Sequence, residues 1–510
     1  MEPQKIKRRR LTAGLDENIA LLKEIFGQDT TIKIRVFENQ KNPRVRCCIV
    51  FVDGMINNVL INEHIIEPIM LNKFLHKTDH LLTDLREKVL FTNDIFPLRE
   101  IDAMMSELLS GNTLLLADGF SEVLVLSTRG WSIRSISEPA AEKVLQGPRE
   151  GFTEALIINL SLLRRKICSP DLQYEFMTVG RQSGTKIALA YIKGIANERI
   201  VKEMKRRLKR VDIDSILDTN YIEEIIKDAP NSPFKTTGST ERPDIVAAKL
   251  FEGRVAVLVD GTPVVLTAPF FFIEYFQSND DYYSNFYVGT FGRWLRILGF
   301  CMTLSLPAIY LALVTFHQDL LPTRFLLNLS EARLGLPFPT LFEMILLILV
   351  FELIREGGSK VPANFGQTLS IVGGLVLGQA AVEAKLVSIP VVIIIAFTGV
   401  TGLMIPQLKS PIIFMRLAWL ILASVLGFPG FMLGVIALLI HLSSLKTFGI
   451  PYTSSLSKTF AEECQDTFIR SPWRRMLVRP SYISPYNHTR QVPQEKSQGN
   501  VEEKAEAKER

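Results

Sequence analysis

Pro337-Phe-Pro-Thr-Leu-Phe-Glu-Met-Ile-Leu-Leu-Ile-Leu-Val-Phe-Glu-Leu-Ile-Arg-Glu356 is an apolar run that carries two carboxylates, Glu343 and Glu352. In membrane-like sequence each of these is costly unless it has a use or a partner. Outward from the block, the chain is soluble-looking from Met1 to about Gly292 and apolar from Trp294 to about Leu445. A large polar region feeding such a segment predicts a device that couples something sensed in water to an event in a bilayer. The expected fold is an α/β cytoplasmic N-terminal region of two subdomains, followed by a polytopic α-helical membrane domain.

The 47% hydrophobic content and mean hydropathy of +0.19 over 510 residues average two unlike halves, so neither describes a domain. A net charge of +5 is small for this length and gives no case for nucleic-acid binding. Adjacent Cys47 and Cys48 with isolated Cys168, Cys301 and Cys464 offer neither metal spacing nor a disulfide framework. The six histidines are scattered, and no nucleophile elbow or kinase signature is present. No enzyme chemistry, cofactor or metal is expected. The first ten residues, ending Lys7-Arg-Arg-Arg10, lead into no apolar core and do not read as a secretory signal. They read as a solvated terminus, or as a basic patch for anionic headgroups.

Three times in the soluble half an apolar strand runs into an Asp-Gly pair, at Asp53-Gly54, Asp118-Gly119 and Asp260-Gly261. Asp-Gly between hydrophobic runs predicts hairpins, with glycine supplying the positive φ. These aspartates therefore read as structural. Apolar residues at three- and four-residue spacing predict helices over Ala13–Phe26, Glu154–Ile167 and Asn197–Leu208, the second with Thr153 as N-cap. Pro139, Gly147 and Pro148 mark a boundary, giving subdomains 1–147 and 148–292. Gly180-Arg-Gln-Ser-Gly184-Thr-Lys186 resembles a phosphate loop only superficially: its spacing is one residue short, and strand-like sequence follows. It reads as a turn between strands.

The region 293–447 divides into six apolar segments, Trp294–Phe316, Thr340–Ile354, Thr368–Val387, Ile389–Pro406, Ile412–Gly427 and Phe431–Leu445. Several are short enough to be re-entrant. With the N-terminal region inside, an even number of crossings puts Arg293, Arg296, Arg355, Lys360, Lys409, Arg416 and Lys446 on or near the inner side. Arg324 and Arg333 fall in the outer loop. Residues 448–510 read as a polar, largely disordered tail ending in the mixed-charge Glu502–Arg510, with Arg470–Arg479 a candidate for the membrane surface.

Glu343 and Glu352 lie nine residues apart, about 180° around a helix, so both cannot line one narrow pore. Glu343 falls near the outer end, within reach of headgroups, and Glu352 can pair with Arg355. The segment from Thr368 to Lys385 is more suggestive. Ser370, Gly374, Gly378 and Ala381 form a small-residue seam for close helix approach. Val372, Val376, Gln379 and Glu383 form a neighbouring strip suited to a pore, with apolar rings that gate by dewetting and a carboxylate ring that attracts cations. The same pattern also arises from ordinary helix packing, with Glu383 at headgroup level.

Gln146-Gly-Pro-Arg-Glu-Gly-Phe-Thr-Glu-Ala-Leu156, Val259-Asp-Gly-Thr-Pro263, Pro269-Phe-Phe-Phe-Ile-Glu-Tyr-Phe276, the Leu336–Glu356 block and Ser370–Glu383 together resemble the A subunits of the GerA-type spore germinant receptors. The resemblance covers nearly the whole chain. It implies a protein of the spore inner membrane with a permease-like B subunit and a lipoprotein C subunit as partners. It further implies homo-oligomers, as pentamers, forming a nutrient-gated channel for monovalent cations, with no catalytic residues to transfer. Two other readings stay open: a receptor scaffold whose helices only anchor it, and a stand-alone secondary transporter. Against the transporter, the two halves of the membrane region show no convincing repeat.

Overall fold

The computed structural model describes residues 11–27, 29–73, 75, 77, 80–130, 139, 142, 146–360, 374, 376–454, 466–485 and 487–491. The N-terminal half contains one plan used twice. The first unit comprises α1 (Leu15–Phe26), β1 (Ile32–Glu38), β2 (Arg46–Val52), β3 (Ile95–Leu98), α2 (Ile101–Leu109), β4 (Thr113–Ala117) and β5 (Val123–Leu126). Its sheet order is β1-β2-β4-β5-β3. The second comprises α3 (Leu156–Lys166), β6 (Leu172–Val179), β7 (Thr185–Ile192), α4 (Glu198–Leu208), α5 (Thr219–Ile226), β8 (Gly238–Thr240), α6 (Pro243–Phe251), β9 (Val255–Val259) and β10 (Val265–Ala268). Its order, β6-β7-β9-β10-β8, repeats the first position for position, and every neighbouring pair in both sheets is antiparallel.

Both faces of each sheet are covered, which explains the unbroken apolar runs in antiparallel strands. In the first sheet Cys48, Val50, Leu114 and Leu116 pack against α1 and α2, while Cys47, Ile49, Leu115 and Ala117 face the helical turns of 58–89. Burial pushes the thiols of Cys47 and Cys48 up to about 12, so neither is a ready nucleophile. The second sheet sorts in the same way, with α3 and α6 on one face and α4 and α5 on the other.

The same clasp closes each unit. Asn18 Oδ1 accepts from Thr12 N at 3.0 Å and its amide donates to Thr12 O at 2.7 Å. Asn159 repeats this with Thr153, at 2.8 and 2.6 Å. Asp118 and Asp260 then accept from the first helical N–H of α1 and α3, at Leu15 (3.4 Å) and Leu156 (3.0 Å). Thr153 is therefore not the N-cap expected of it. Ala155 occupies that place without a side-chain cap, and an aspartate from the distant β9–β10 turn does the capping. Asp118-Gly119 and Asp260-Gly261 turn hairpins as expected, whereas Asp53-Gly54 leads instead into a helical turn capped by Asn57. Gly180–Gly184 turns the β6–β7 hairpin.

Arg164 and Asp29 join the two units through an ion pair with no solvent exposure on either side chain. Arg164 also donates to Ser169 O (3.0 Å) and Leu172 O (3.1 Å) and lies over the Tyr174 ring, while Asp29 accepts from Thr31 Oγ1 at 2.7 Å.

The helical half contains α7 (Phe286–Thr315), α8 (Thr323–Arg333), α9 (Thr340–Lys360), helical residues 376–383, α10 (Ile389–Leu403), α11 (Lys409–Leu426) and α12 (Phe428–Ser444). Among the described residues α7 and the run Pro406–Leu426 are long and apolar enough to cross a bilayer, and α10 and α12 are shorter apolar helices. After α12 the described residues of 448–510, expected from polarity to be largely disordered, pack on the fold. Residues 446–451 form a hairpin, Tyr452 is fully buried, and Met476 and Ile483 are buried where 466–485 and 487–491 run back over the second unit. There Ser484 Oγ donates to Ile195 O at 2.7 Å and Arg479 Nε to Phe251 O at 2.8 Å. The charged end, Glu502–Arg510, lies outside the described residues.

Breaking the Arg164–Asp29 pair leaves a buried charge, so Arg164→Met should destabilise the protein by roughly 3–5 kcal/mol. The double variant Arg164→Met/Asp29→Leu should recover part of that loss. Urea unfolding midpoints of the detergent-solubilised protein would measure both, and equal losses would contradict the account.

Candidate functional site

The glycine-rich segment is the first candidate. Ser370 and Val372 lie outside the described residues. Val376 is 55% exposed, Gln379 and Glu383 are exposed, and Gln379 Nε2 donates to Glu383 Oε1 at 3.0 Å. A Cβ built on Gly374 or Gly378 would meet nothing within 4 Å among the described residues. Ala381 is half-buried. The contrast with two other glycines is informative: a Cβ on Gly399 would come within 2.7 Å of the Phe351 ring, and one on Gly434 within 2.6 Å of Trp419. Those glycines serve packing inside the protomer. Among the described residues Gly374 and Gly378 meet no such partner.

The two carboxylates of α9 have different surroundings. Glu343 is fully buried rather than near headgroups, and its Oε2 accepts from Ser388 N and Ser388 Oγ, both at 2.9 Å. It thereby caps the N-terminus of α10, where backbone dipoles favour a negative charge. Glu352 pairs with Arg355, as their spacing predicts, and also accepts from Arg416 of α11 at 3.0 Å. Arg416 is only 2% exposed, a buried role that sequence reasoning missed by treating it as a flanking charge. The available signal was an arginine seven positions inside an apolar helix. Glu356, Lys360 and Lys409 extend this ionic cluster.

The junction between the second α/β unit and the helices forms the third element. Pro269-Phe-Phe-Phe-Ile-Glu-Tyr-Phe276 follows β10, and Phe272 and Phe276 pack edge-on against Phe300 of α7 at 5.9 and 5.5 Å. Glu274, buried among these rings, accepts from Phe271 N (2.8 Å), Arg254 (2.6 Å) and Lys249. Asp281 pairs with both Arg293 and Arg296 at the start of α7, and Asp466 reaches Arg293 from the tail. At the exit from α12, Phe448 and Gly449 both take positive φ, at 50° and 83°. Arg207 stacks over Phe448 at 4.3 Å and pairs with Asp228, which accepts from Phe448 N. A cavity of about 910 Å³ lies in this junction, lined by Arg242, Lys249, Tyr282 and Arg296 on one side and Ile405 and Gln407 on the other. Sequence reasoning used Arg293 and Arg296 only as topology marks. The lone glutamate in an aromatic strip was the signal for the junction.

A family model described as Bacillus/Clostridium GerA spore germination protein matches residues 20–482. The chain is 40% identical over 483 residues to spore germination protein KA of Bacillus subtilis, covering 94% of this chain and 89% of that protein. It is also 40% identical to the uncharacterized membrane protein YfkQ of Bacillus subtilis, with 86% of each chain covered. Among solved structures, the N-terminal domain of the A subunit of the Bacillus megaterium spore germinant receptor GerK3 is 36% identical, with a TM-score of 0.41 over 51% of this chain and 96% of that one.

Two outcomes follow from this geometry. Glu352→Gln strands two arginines, whereas Arg416→Met leaves Glu352 paired with Arg355. Glu352→Gln should therefore destabilise more, on the order of 3–5 kcal/mol, and show the lower thermal midpoint; the reverse order would contradict the shared-carboxylate arrangement. Near the junction, hydrogen bonds from Arg206, then Arg207, hold the Glu203 carboxyl at about 2, below its ordinary value. Its stabilising contribution is complete above the ordinary carboxyl range and is lost as pH falls toward 2. Glu203→Gln should flatten that acid limb in unfolding midpoints taken against pH.

Proposed function

Because the chain belongs to the Bacillus/Clostridium GerA spore germination protein family, we propose that it is the membrane subunit of a nutrient (germinant) receptor that assembles with copies of itself into a gated cation channel. The observation that carries the reading is the glycine face at Gly374 and Gly378, which meets nothing in its own protomer among the described residues. Between helices in lipid, close packing of small residues supplies much of the attraction. A second copy of the same segment satisfies that face. Val372, Val376, Gln379 and Glu383, on the neighbouring face, then line the opening, valines as the dewetting constriction and Glu383 as the carboxylate ring.

Charge placement supports a membrane domain of six crossings with the α/β units inside. Arg293 and Arg296 begin α7 beside the second unit, Ile405 and Gln407 line the same junction, and Lys446 opens the hairpin seated on it. Lys360 and Lys409 share Glu356 at the corresponding ends of α9 and α11. Basic residues gathered on that side match the positive-inside bias. In this reading the receptor resides in the spore inner membrane with a permease-like B subunit and a lipoprotein C subunit, as a pentamer of A subunits. A nutrient held by the partner shifts the oligomer toward its open arrangement only through differential affinity for the two states.

Ion flux from proteoliposomes carrying the assembled receptor tests the proposal with Val372→Ala, Val376→Ala and Glu383→Gln. The valine variants should leak without nutrient, and Glu383→Gln should reduce cation preference. If all three match the wild type while the receptor still conducts, the strip is not the pore. A strictly monomeric subunit within a conducting receptor would favour the scaffold reading.

A further inference from the structure

Glu343 and Glu352 lie on one helix, yet among the described residues only Glu352 has cationic partners. Among the described residues Glu343 has no ion pair, and its second oxygen, Oε1, has no hydrogen-bond partner. Two other buried oxygens in the same region also lack partners: Thr340 Oγ1 and Tyr310 OH. Glu343, Thr340 and Tyr310 are 0, 3 and 9% exposed. Thr340 and Glu343 are three residues apart on α9 and share a face. Tyr310 of α7 packs in the same apolar cluster as Met344, the residue after Glu343, and Val391 of α10. Its hydroxyl lies within electrostatic reach of Glu343 and of Arg333.

A buried carboxylate without a counter-charge costs several kcal/mol. The α10 N-terminus supplies only about half a positive charge, and it acts on Oε2. The partnerless oxygens left in this cluster are a carboxylate oxygen, an alcohol and a phenol, which are hard ligands suited to a hard cation and not to a soft metal. Charge decides the class. One positive charge neutralises the single carboxylate, whereas a divalent ion would leave a net positive charge among Leu311, Val314, Met344 and Val391. We propose that Glu343, Thr340 and Tyr310 supply ligands to a binding site for a monovalent cation, sodium or potassium. Ser388 fixes the carboxylate through its two hydrogen bonds to Oε2. The site ties α7, α9 and α10 together within one protomer, apart from the Val376–Glu383 strip. It stands independently of whether the assembly conducts.

Thermal unfolding of the purified full-length protein in nonionic detergent tests this, in sodium, potassium or choline chloride at equal ionic strength. Sodium or potassium should raise the midpoint a few degrees above choline, saturating with concentration. Glu343→Gln should abolish the difference. Tyr310→Phe and Thr340→Val, which keep the carboxylate and remove little volume, should raise the half-saturating concentration about tenfold. Arg333→Gln should leave the cation effect in place. Equal midpoints in all three salts for the wild type overturn the proposal, as does a full cation effect retained by both Glu343→Gln and Tyr310→Phe. A cation effect seen only in Arg333→Gln also overturns it, because the arginine would then be the resident counter-charge.

Discussion

The carboxylate of Glu274 is the interaction on which the rest of the architecture turns. It lies where the second sheet ends and the chain must leave a water-facing fold for an apolar helical bundle. Held by Arg254, Lys249 and the Phe271 N–H, it fixes an aromatic strip that seats α7 on one side and Tyr452 on the other. Arg254 also donates to Pro269 O and pairs with Glu252, which in turn pairs with Arg490 of the tail. A buried network of this kind adds little net stability over an apolar packing, but removing one member is costly. Its effect is to permit one relative placement of sheet, first helix, final hairpin and tail.

Further ion pairs join the remaining parts of the chain. The first α/β unit is locked to the second by Arg164 and Asp29, and the second is locked to both ends of the helical region, through Asp281 to α7 and through Arg207 and Asp228 to the hairpin after α12. Phe448 sits at positive φ, a conformation costing roughly 1–2 kcal/mol for a residue with a Cβ. Stacking by Arg207 and the bond to Asp228 hold it there. The second unit is thereby joined to the helical region at both its entry and its exit.

Much of the soluble half was legible because its signals are local. The hairpins at Asp118-Gly119 and Asp260-Gly261, the three amphipathic helices and the Gly180–Gly184 turn each depend on neighbours within a few positions, whereas Asp53-Gly54, with the same local signal, opens a helical turn. What was not legible depends on distant partners. Thr153 looked like an N-cap because its own tripeptide allows it, but Asn159 takes the threonine and Asp260, more than a hundred residues on, takes the helix. Glu343 read as interfacial because Ser388, forty-five positions away, carries no sequence mark as its partner. The tail read as largely disordered because its buried residues, Met476 and Ile483, are isolated among prolines and arginines and show no period.

The two carboxylates that first marked α9 divide the helical region into parts that hold and a part that does not. Glu343 fastens one end of α9 to α10, while Glu352 and Glu356 fasten the other to α11 through Arg416 and Lys409. Phe351 of α9 fills the space beside Gly399 of α10 along the way. The segment at 376–383, which follows α9 in sequence, has an internal Gln379–Glu383 bond and a glycine face that meets no described neighbour. Freedom to rearrange belongs to elements with few buried contacts. In the proposed oligomer, then, α9 belongs to the frame, and the glycine-bearing segment is the element whose packing against another copy can change between states.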